Sequence, residues 1–170
     1  MIQIIRNKKL FFFGIAIITF FAWLDLYSKE QIFAILDEIS VKENTIHLEI
    51  QVTSFFSLVK VWNRGVSFGM LNDLENGKYL ISIVNILISG VLLVWLYRNN
   101  SKYLMWAISL IIGGAMGNLF DRFKNDAVAD FLDFHISSYH WPAFNLADSI
   151  VFIGVALLLL ENFFIKKDEK

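Results

Sequence analysis

The sequence predicts an all-α membrane protein with four transmembrane helices, a small extracytoplasmic β-sheet and a short amphipathic helix. Two properties of the whole chain support this prediction: 56% of its 170 residues are hydrophobic, and its mean hydropathy is +0.56. Such a composition is too apolar for an ordinary soluble domain. In addition, four apolar segments alternate with polar ones, without an internal repeat or a low-complexity linker, so we expect a single domain over residues 1–170.

The first predicted span covers residues 10–27 and follows a basic N-terminus. A basic start before an apolar run also fits a signal peptide, but no small-residue cleavage site follows, which favours a retained span. Asp25 and Lys29 come at its end, and residues four apart share one face of a helix. From the residues alone, we expect a solvated helix end with a weak surface ion pair.

Residues 30–78 form a polar segment between the first two spans. A short amphipathic helix is predicted there by the helical spacing of four apolar residues, Ile32, Phe33, Leu36 and Ile39. Apolar and polar residues alternate over 46–52, which predicts a half-exposed strand that can pair with residues 56–62. The stretch 63–69 contains two glycines around polar residues and predicts a turn.

Three further spans are predicted over residues 79–97, 103–120 and 144–165, and each is long enough to cross a hydrocarbon core. Residues 113–117 form a small-xxx-small pattern in the third span, which allows close helix approach. Residues 121–142 are expected to be a loop between the last two spans.

Positive charges predict how the spans are oriented. The chain has three basic clusters, and in a four-span protein all three lie on the same side of the membrane. They are Arg6 with Lys8 and Lys9, Arg98 with Lys102, and Lys166 with Lys167. The positive-inside rule places that side, with both termini, in the cytoplasm. Both long polar segments then lie outside, and residues distant in sequence meet at the outer interface: Asp25, the turn beginning at Asn63, Asp121, Asp130 and Asp148.

Several classes of function fit the sequence poorly. The net charge of −1 and the lack of a basic stripe exclude a nucleic-acid partner, and the lack of cysteine excludes thiol catalysis. A serine protease would need a base beside Ser149, and a zinc hydrolase would need more than His135 and His140, which lack the HExxH spacing. A transporter would place its charges near the membrane midplane.

A pair of carboxylates fits the sequence better. Ionisable groups at membrane depth are costly, so several of them suggest a function. Two aspartates held together, such as Asp130 and Asp148, share one proton, and the pair can activate water and bind a scissile carbonyl. Such a pair needs neither a metal nor a cofactor. For Asp148 alone, a favourable charge at a helix N-terminus is the simpler explanation.

Five motifs together resemble the lipoprotein signal peptidases, or type II signal peptidases, of bacteria. They occur in the family's order over nearly the whole chain: Asp25-x-x-Ser28-Lys29, Asn63 to Gly69 (NRGVSFG), Gly113 to Arg122 (GGAMGNLFDR), Val128 to Phe131 (VADF) and Phe144 to Asp148 (FNLAD). One position departs from the family, because Asp126 stands where glycine is usual. Aspartate tolerates a left-handed turn better than most residues do, so we expect the loop to survive.

The resemblance implies a membrane aspartic endopeptidase that cleaves diacylglyceryl-modified prolipoproteins before the lipid-modified cysteine. It implies Asp130 and Asp148 as the catalytic residues, and it implies substrate-binding or site-supporting roles for Asn63, Gly65, Asn118, Arg122 and Asn145. Asp25, Lys29 and Asp121 would support the structure near the site. We further expect a monomer in the bacterial inner membrane, in contact with its lipids; a transporter and a lipoprotein-binding protein are the alternatives.

Overall fold

The computed structural model describes residues 8–43, 49–65 and 77–161. Its elements, in chain order, are α1 (Lys8–Glu43), β1 (Glu49–Thr53), β2 (Phe56–Asn63), α2 (Gly77–Arg98), α3 (Lys102–Asn125), β3 (Val128–Ile136), β4 (Tyr139–His140) and α4 (Leu146–Leu160).

Three of these helices, α1, α2 and α3, are long and apolar enough to cross a membrane. The helix α4 is also apolar, and 15 of its residues are described; the predicted end of the fourth span at residue 165 lies outside the described residues. The prediction of apolar helices with a small antiparallel sheet is therefore confirmed.

The prediction of a separate amphipathic helix over residues 32–39 is wrong, because these residues are the C-terminal part of α1. No glycine or proline follows Gly14 before the helix ends at Glu43, so nothing in the sequence interrupts the helix. The first helix therefore extends well beyond the predicted boundary at residue 27. Phe33 and Leu36 are buried against Ala129 and Phe131 of β3, so this extension supports the sheet.

The sheet has the antiparallel order β1-β2-β3-β4. The predicted hairpin is confirmed in β1 and β2, although residues 46–48 of its first strand lie outside the described residues. The prediction of a loop over 121–142 is wrong, because this segment contains the end of α3 and both β3 and β4. The first four residues of β3 are all buried, so the strand lacks the alternation by which half-exposed strands are recognised.

The helix α3 is central and packs against α1, α2 and α4. The predicted close approach at its glycines is confirmed on two faces. A Cβ atom on Gly113 would lie 3.2 Å from the carbonyl oxygen of Ile18 in α1, and one on Gly114 would lie 2.8 Å from a methyl group of Val151 in α4.

The helix α3 is capped by the residue that follows it, Asp126, whose φ of 58° is left-handed and whose N–H donates to the carbonyl of Arg122. Aspartate thus accepts the backbone conformation that glycine would provide, as the sequence predicts. The carboxylate of Asp126 also pairs with Lys78 at the start of α2. This turn directs the chain from the third helix into β3.

Candidate active site

Asp130 lies in β3 and is 2% exposed. Two side-chain amides donate to its carboxylate. Asn145 Nδ2 lies 2.7 Å from Oδ1, and Asn63 Nδ2 lies 3.0 Å from Oδ2. Asn63 is the last residue of β2, which pairs with β3 so that Asn63 faces Val128 and Val61 faces Asp130. The sheet register therefore places the Asn63 amide beside the carboxylate.

Asp148 lies in the first turn of α4, where it forms a capping box with Asn145. The Asn145 side chain accepts from the Asp148 N–H at 2.9 Å, and the Asn145 N–H donates to Asp148 Oδ2 at 3.3 Å. The second carboxylate oxygen accepts from Asn118 Nδ2 at 2.8 Å. Asp148 is therefore both the helix-terminal charge expected of a lone aspartate and a member of a polar cluster.

Asn145 and Asn118 connect the two aspartates. Asn145 is 0% exposed, and its Nδ2 donates to both Asp130 Oδ1 and Asn118 Oδ1, the latter at 3.1 Å. Asn118 in turn donates to Asp148. One hydrogen-bonded cluster, near the end of α3 and the start of α4, therefore joins five residues that the sequence places far apart: Asn63, Asn118, Asp130, Asn145 and Asp148.

Lys29 supports this cluster from α1. Its Nζ donates to Asn118 Oδ1 at 3.0 Å and pairs with Asp25 at 2.7 Å and with Asp121 at 3.0 Å. The exposed surface pair expected from the residues alone is wrong, because Asp25 and Lys29 are 0% and 3% exposed. They lie in the middle of a helix that continues past them. Since an ammonium group only donates, it fixes the amide of Asn118 with its oxygen toward Lys29 and its nitrogen toward Asp148.

The two partners of Lys29 each hold a backbone segment next to a site aspartate. Asp25 Oδ1 accepts from the N–H of Ala147 at 2.8 Å, and Asp121 Oδ2 accepts from the N–H of Ala129 at 3.0 Å. Ala147 directly precedes Asp148, and Ala129 directly precedes Asp130. The positions expected to support the structure near the site therefore contact the backbone that carries the pair.

Arg122 lies beside the cluster and contacts two backbone carbonyl groups next to it. Its Nη2 lies 3.3 Å from the carbonyl oxygen of Gly65 and its Nη1 lies 3.4 Å from that of Asn118. The Gly65 N–H donates to Asn63 Oδ1 at 3.0 Å. Within the described part of the chain, the buried Nε of Arg122 has no hydrogen-bond partner. Residues 66–69 of the predicted turn lie outside the described residues.

The environment of Asp130 favours its protonated form. Burial, and then the negative charge of Asp148, raise the pKa of Asp130 to about 7, against the opposing effect of the amide donors Asn63 and Asn145. A carboxyl group with this pKa keeps a proton near neutral pH, as an acid must when it is paired with an ionised base.

Two open grooves reach Asp148. One, which we call the α2/α4 groove, has a volume of about 310 Å³ and runs over α3 between α2 and α4, with Arg122 and Asn118 near Asp148. The other, of about 740 Å³, follows the outer face of α4 past Trp141 and Phe152. Both are lined mainly by apolar side chains.

Asp133, His135 and His140 form a separate group. His140 Nδ1 lies 2.7 Å from Asp133 Oδ2, and the two histidine rings stack with their centroids 4.9 Å apart. His135 Nε2 contacts Ser57 Oγ at 3.2 Å. Within residues 8–43, 49–65 and 77–161, no group of three or more histidine, cysteine, aspartate or glutamate side chains is arranged to hold a metal ion.

Asn85 and Ser89 of α2 also line the α2/α4 groove, and the sequence-based predictions missed them. The signal available was the presence of two polar residues one helical turn apart inside an apolar span. Such residues are placed by the contacts that α2 makes with α3, which the sequence does not reveal.

Comparisons with known proteins agree with this architecture. Residues 11–164 match the family model described as signal peptidase (SPase) II. The lipoprotein signal peptidase of Alteromonas mediterranea is 37% identical over 166 residues, which cover 96% of this chain and 86% of the relative. That of Aeromonas hydrophila is 46% identical over 119 residues, which cover 67% and 70%.

Two solved structures of bacterial membrane enzymes have a similar fold. A bacterial membrane enzyme determined at 2.3 Å resolution matches with a TM-score of 0.73 at 28% identity, covering 92% of this chain and 91% of that one. A second, at 1.9 Å, matches with a TM-score of 0.71 at 27% identity, covering 89% and 92%. From the family match over most of the chain and from relatives of this identity and coverage, we conclude that the chain belongs to the signal peptidase II family.

Proposed function

We propose that this protein is a membrane aspartic endopeptidase that cleaves diacylglyceryl-modified prolipoproteins before the lipid-modified cysteine, with Asp130 and Asp148 as its catalytic residues. Membership of the signal peptidase II family supports peptidase activity on lipoprotein signal peptides. The observation that carries the aspartic mechanism is the network in which Asn145 and Asn118 join the buried carboxylate of Asp130 to the half-buried carboxylate of Asp148.

The environments of the two carboxylates suggest their roles. Asp130 holds the shared proton because its pKa is raised to about 7. Asp148 is the ionised partner, since it lies at a helix N-terminus and accepts from a backbone N–H and from Asn118. Asp148 removes a proton from water as the water oxygen bonds to the scissile carbon, while Asp130 protonates the carbonyl oxygen. When the resulting diol collapses, Asp148 protonates the leaving amine and a diol hydroxyl returns its proton to Asp130.

The other residues would position the substrate and the pair. Arg122 has an unpartnered Nε among the described residues, and a guanidinium can bind substrate carbonyls without losing its charge. Asn63 and Gly65 would lie beside the cleaved peptide, because they join Asp130 and Arg122 through hydrogen bonds. We propose a monomer, because Asp130 and Asp148 lie in the same chain and the proposed dyad needs no residue from a second copy.

The α2/α4 groove and the groove along α4 support a substrate that enters from the membrane. Each buried methylene of a lipid chain contributes about 0.8 kcal/mol, so a diacylglyceryl anchor would fix the depth of the scissile bond near Asp148. The outer face of the bacterial inner membrane is the proposed location of the site. A transporter or a binding protein without catalysis is disfavoured, because the family and its named relatives are peptidases.

Purified protein, incubated with equal concentrations of diacylglyceryl-modified and unmodified precursor in the same detergent, tests this function. We expect much faster cleavage of the lipid-modified precursor, before its cysteine, and no effect of a metal chelator. Equal rates would show that lipid does not position the bond. A loss of activity on chelation that zinc restores would instead assign His135 and His140 as metal ligands.

A further inference from the structure

The helix α2 carries two polar side chains in its apolar middle. Asn85 Nδ2 donates to the carbonyl oxygen of Ala115 in α3 at 3.2 Å, and Ser89 Oγ donates to Asn85 Oδ1 at 3.3 Å. Among the described residues, the second N–H of the Asn85 amide has no partner. An amide N–H without an acceptor is costly in a hydrocarbon environment, so this group is available to a ligand in the groove that Asn85 lines.

This amide lies on the α2/α4 groove, which also contains Asp148, Asn118 and Arg122. The groove is floored by α3 and walled by α2 and α4, so a peptide whose scissile bond lies at Asp148 would pass Asn85 as it runs along the groove. The same groove therefore connects the proposed catalytic carboxylate with an amide donor that is not part of the catalytic cluster.

The distance along the groove between Asn85 and the catalytic level follows from the residues of α3 that each contacts. Its partner Ala115 precedes Asn118 by three residues, which is about 4.5 Å along a helix. An extended peptide advances about 3.3 Å per residue. Asn85 therefore lies about one residue deeper in the membrane than the residue whose carbonyl is cleaved at the level of Asn118 and Asp148.

We propose that Asn85 is a specificity-determining residue that recognises a serine or threonine hydroxyl at the second residue before the scissile bond. This inference rests on the proposed function. A hydroxyl oxygen at that position accepts the second N–H of the Asn85 amide, whereas alanine leaves this N–H unpaired. A site that hydrogen-bonds a substrate hydroxyl disfavours the analogue that lacks it. Side-chain hydrogen bonds within membranes are modest, so a preference of about threefold to tenfold is expected.

Successive side chains of an extended peptide point in opposite directions. If the second residue before the scissile bond faces Asn85 on α2, the third faces away from it. A hydroxyl at the third residue is therefore a matched control within the substrate. Ser82 is the matched control within the protein, because it is a buried hydroxyl on the same helix that does not line the groove.

The test measures kcat/KM for lipid-modified precursors with serine or alanine at the second residue, and separately at the third. The serine-to-alanine ratio at the second residue should be about threefold to tenfold lower in Asn85→Ala than in the wild-type protein, and Ser82→Ala should keep the wild-type ratio. For precursors that differ at the third residue, the wild-type protein, Asn85→Ala and Ser82→Ala should all give the same serine-to-alanine ratio of kcat/KM. Asn85→Ser keeps a polar side chain on α2 but lacks the second amide N–H, so it should give the same lowered ratio and replaces Asn85→Ala if the latter folds poorly.

An equal loss on both precursors in the Asn85 variants would show that Asn85 only holds α2 against α3, and would overturn the inference while leaving the proposed function intact. A wild-type protein that cleaves no lipid-modified precursor would overturn the proposed function together with the inference.

Discussion

Asp25 accepts a hydrogen bond from the N–H of Ala147 at 2.8 Å, and it does so from the middle of α1, more than a hundred residues earlier in the chain. The first N–H groups of a helix lack partners within the helix, so Asp25 acts as an additional cap for α4. Asp121 similarly accepts a hydrogen bond from the N–H of Ala129 near the start of β3. Lys29 pairs with both carboxylates, and the three side chains together fix the backbone on which Asp130 and Asp148 stand.

This arrangement predicts that Asp25→Asn is strongly destabilising. Removing one partner of a buried ion pair costs about 3–5 kcal/mol, because it leaves the other charge poorly compensated. Asp37→Asn is the control, because Asp37 lies on the same helix but pairs with Lys60 at the surface, where such pairs contribute about 0–1 kcal/mol. Thermal unfolding of the purified variants in detergent compares the two. Equal melting temperatures would contradict a supporting role for the buried triad.

The contact between α3 and α4 gives a second prediction. A Cβ atom on Gly114 would press on the Ala147 carbonyl and lie 2.8 Å from a Val151 methyl group, so Gly114→Ala should displace α4 and lower both stability and turnover. Gly90 on α2 has nothing within 4 Å of such an atom. Gly90→Ala should be neutral or stabilising by about 0.5–1 kcal/mol, since alanine favours a helix over glycine. Comparable losses in both variants would argue against close packing at Gly114.

The dependence of the reaction on pH gives a third prediction. Asp130 is the proposed acid and its pKa is raised to about 7, so kcat/KM should fall as the pH rises through about 7, because Asp130 then loses its proton. The contribution of Asp130 to the free energy of unfolding changes in the same direction. It stabilises the folded state at low pH, and this stabilisation is lost as the pH rises toward the folded-state pKa of about 7. Rate measurements between pH 5 and 9 test this, and activity that increases steadily up to pH 9 would contradict Asp130 as the acid.

The proposed orientation gives a fourth prediction. The chain contains no cysteine, so single substitutions Ser54→Cys, Asn100→Cys and Ser138→Cys, all at exposed positions, can each be labelled alone. A membrane-impermeant thiol reagent added to intact cells should label positions 54 and 138, which lie on the sheet side, and should spare position 100 in the basic turn. Labelling of position 100 alone would reverse the proposed topology.

Much of this architecture follows from the sequence. Long apolar runs predict helices because a helix satisfies its own backbone within a bilayer. The helix α2 begins and ends close to the predicted residues, and α3 begins close to its predicted start but continues beyond residue 120 to Asn125. The alternating residues before Phe56 predict the first hairpin. The motifs around Asn63, Asn118, Asp130 and Asn145 identify residues that the structure joins in one hydrogen-bonded cluster.

The parts that the sequence did not predict depend on tertiary contacts. The strand β3 is buried at each of Val128 to Phe131, so it shows no alternation. Asp25 and Lys29 have the spacing of an ordinary surface pair, and only the packing of α3 and α4 around α1 buries them. The lack of glycine and proline allows α1 to continue to Glu43, but the burial of Phe33 and Leu36 against the sheet depends on tertiary contacts that the local sequence does not reveal.

The most direct measurement of the central claim compares the cleavage rates of three variants on the lipid-modified precursor: Asp130→Asn, Asp148→Asn and Asp133→Asn. An amide has nearly the shape of the carboxyl group but cannot carry the catalytic proton. Asp133 is a matched buried aspartate on the same strand as Asp130, and it bonds His140 rather than the pair. We predict that the first two variants remain folded and lose nearly all turnover while Asp133→Asn retains most of it. A wild-type rate in either Asp130→Asn or Asp148→Asn would contradict the aspartic mechanism.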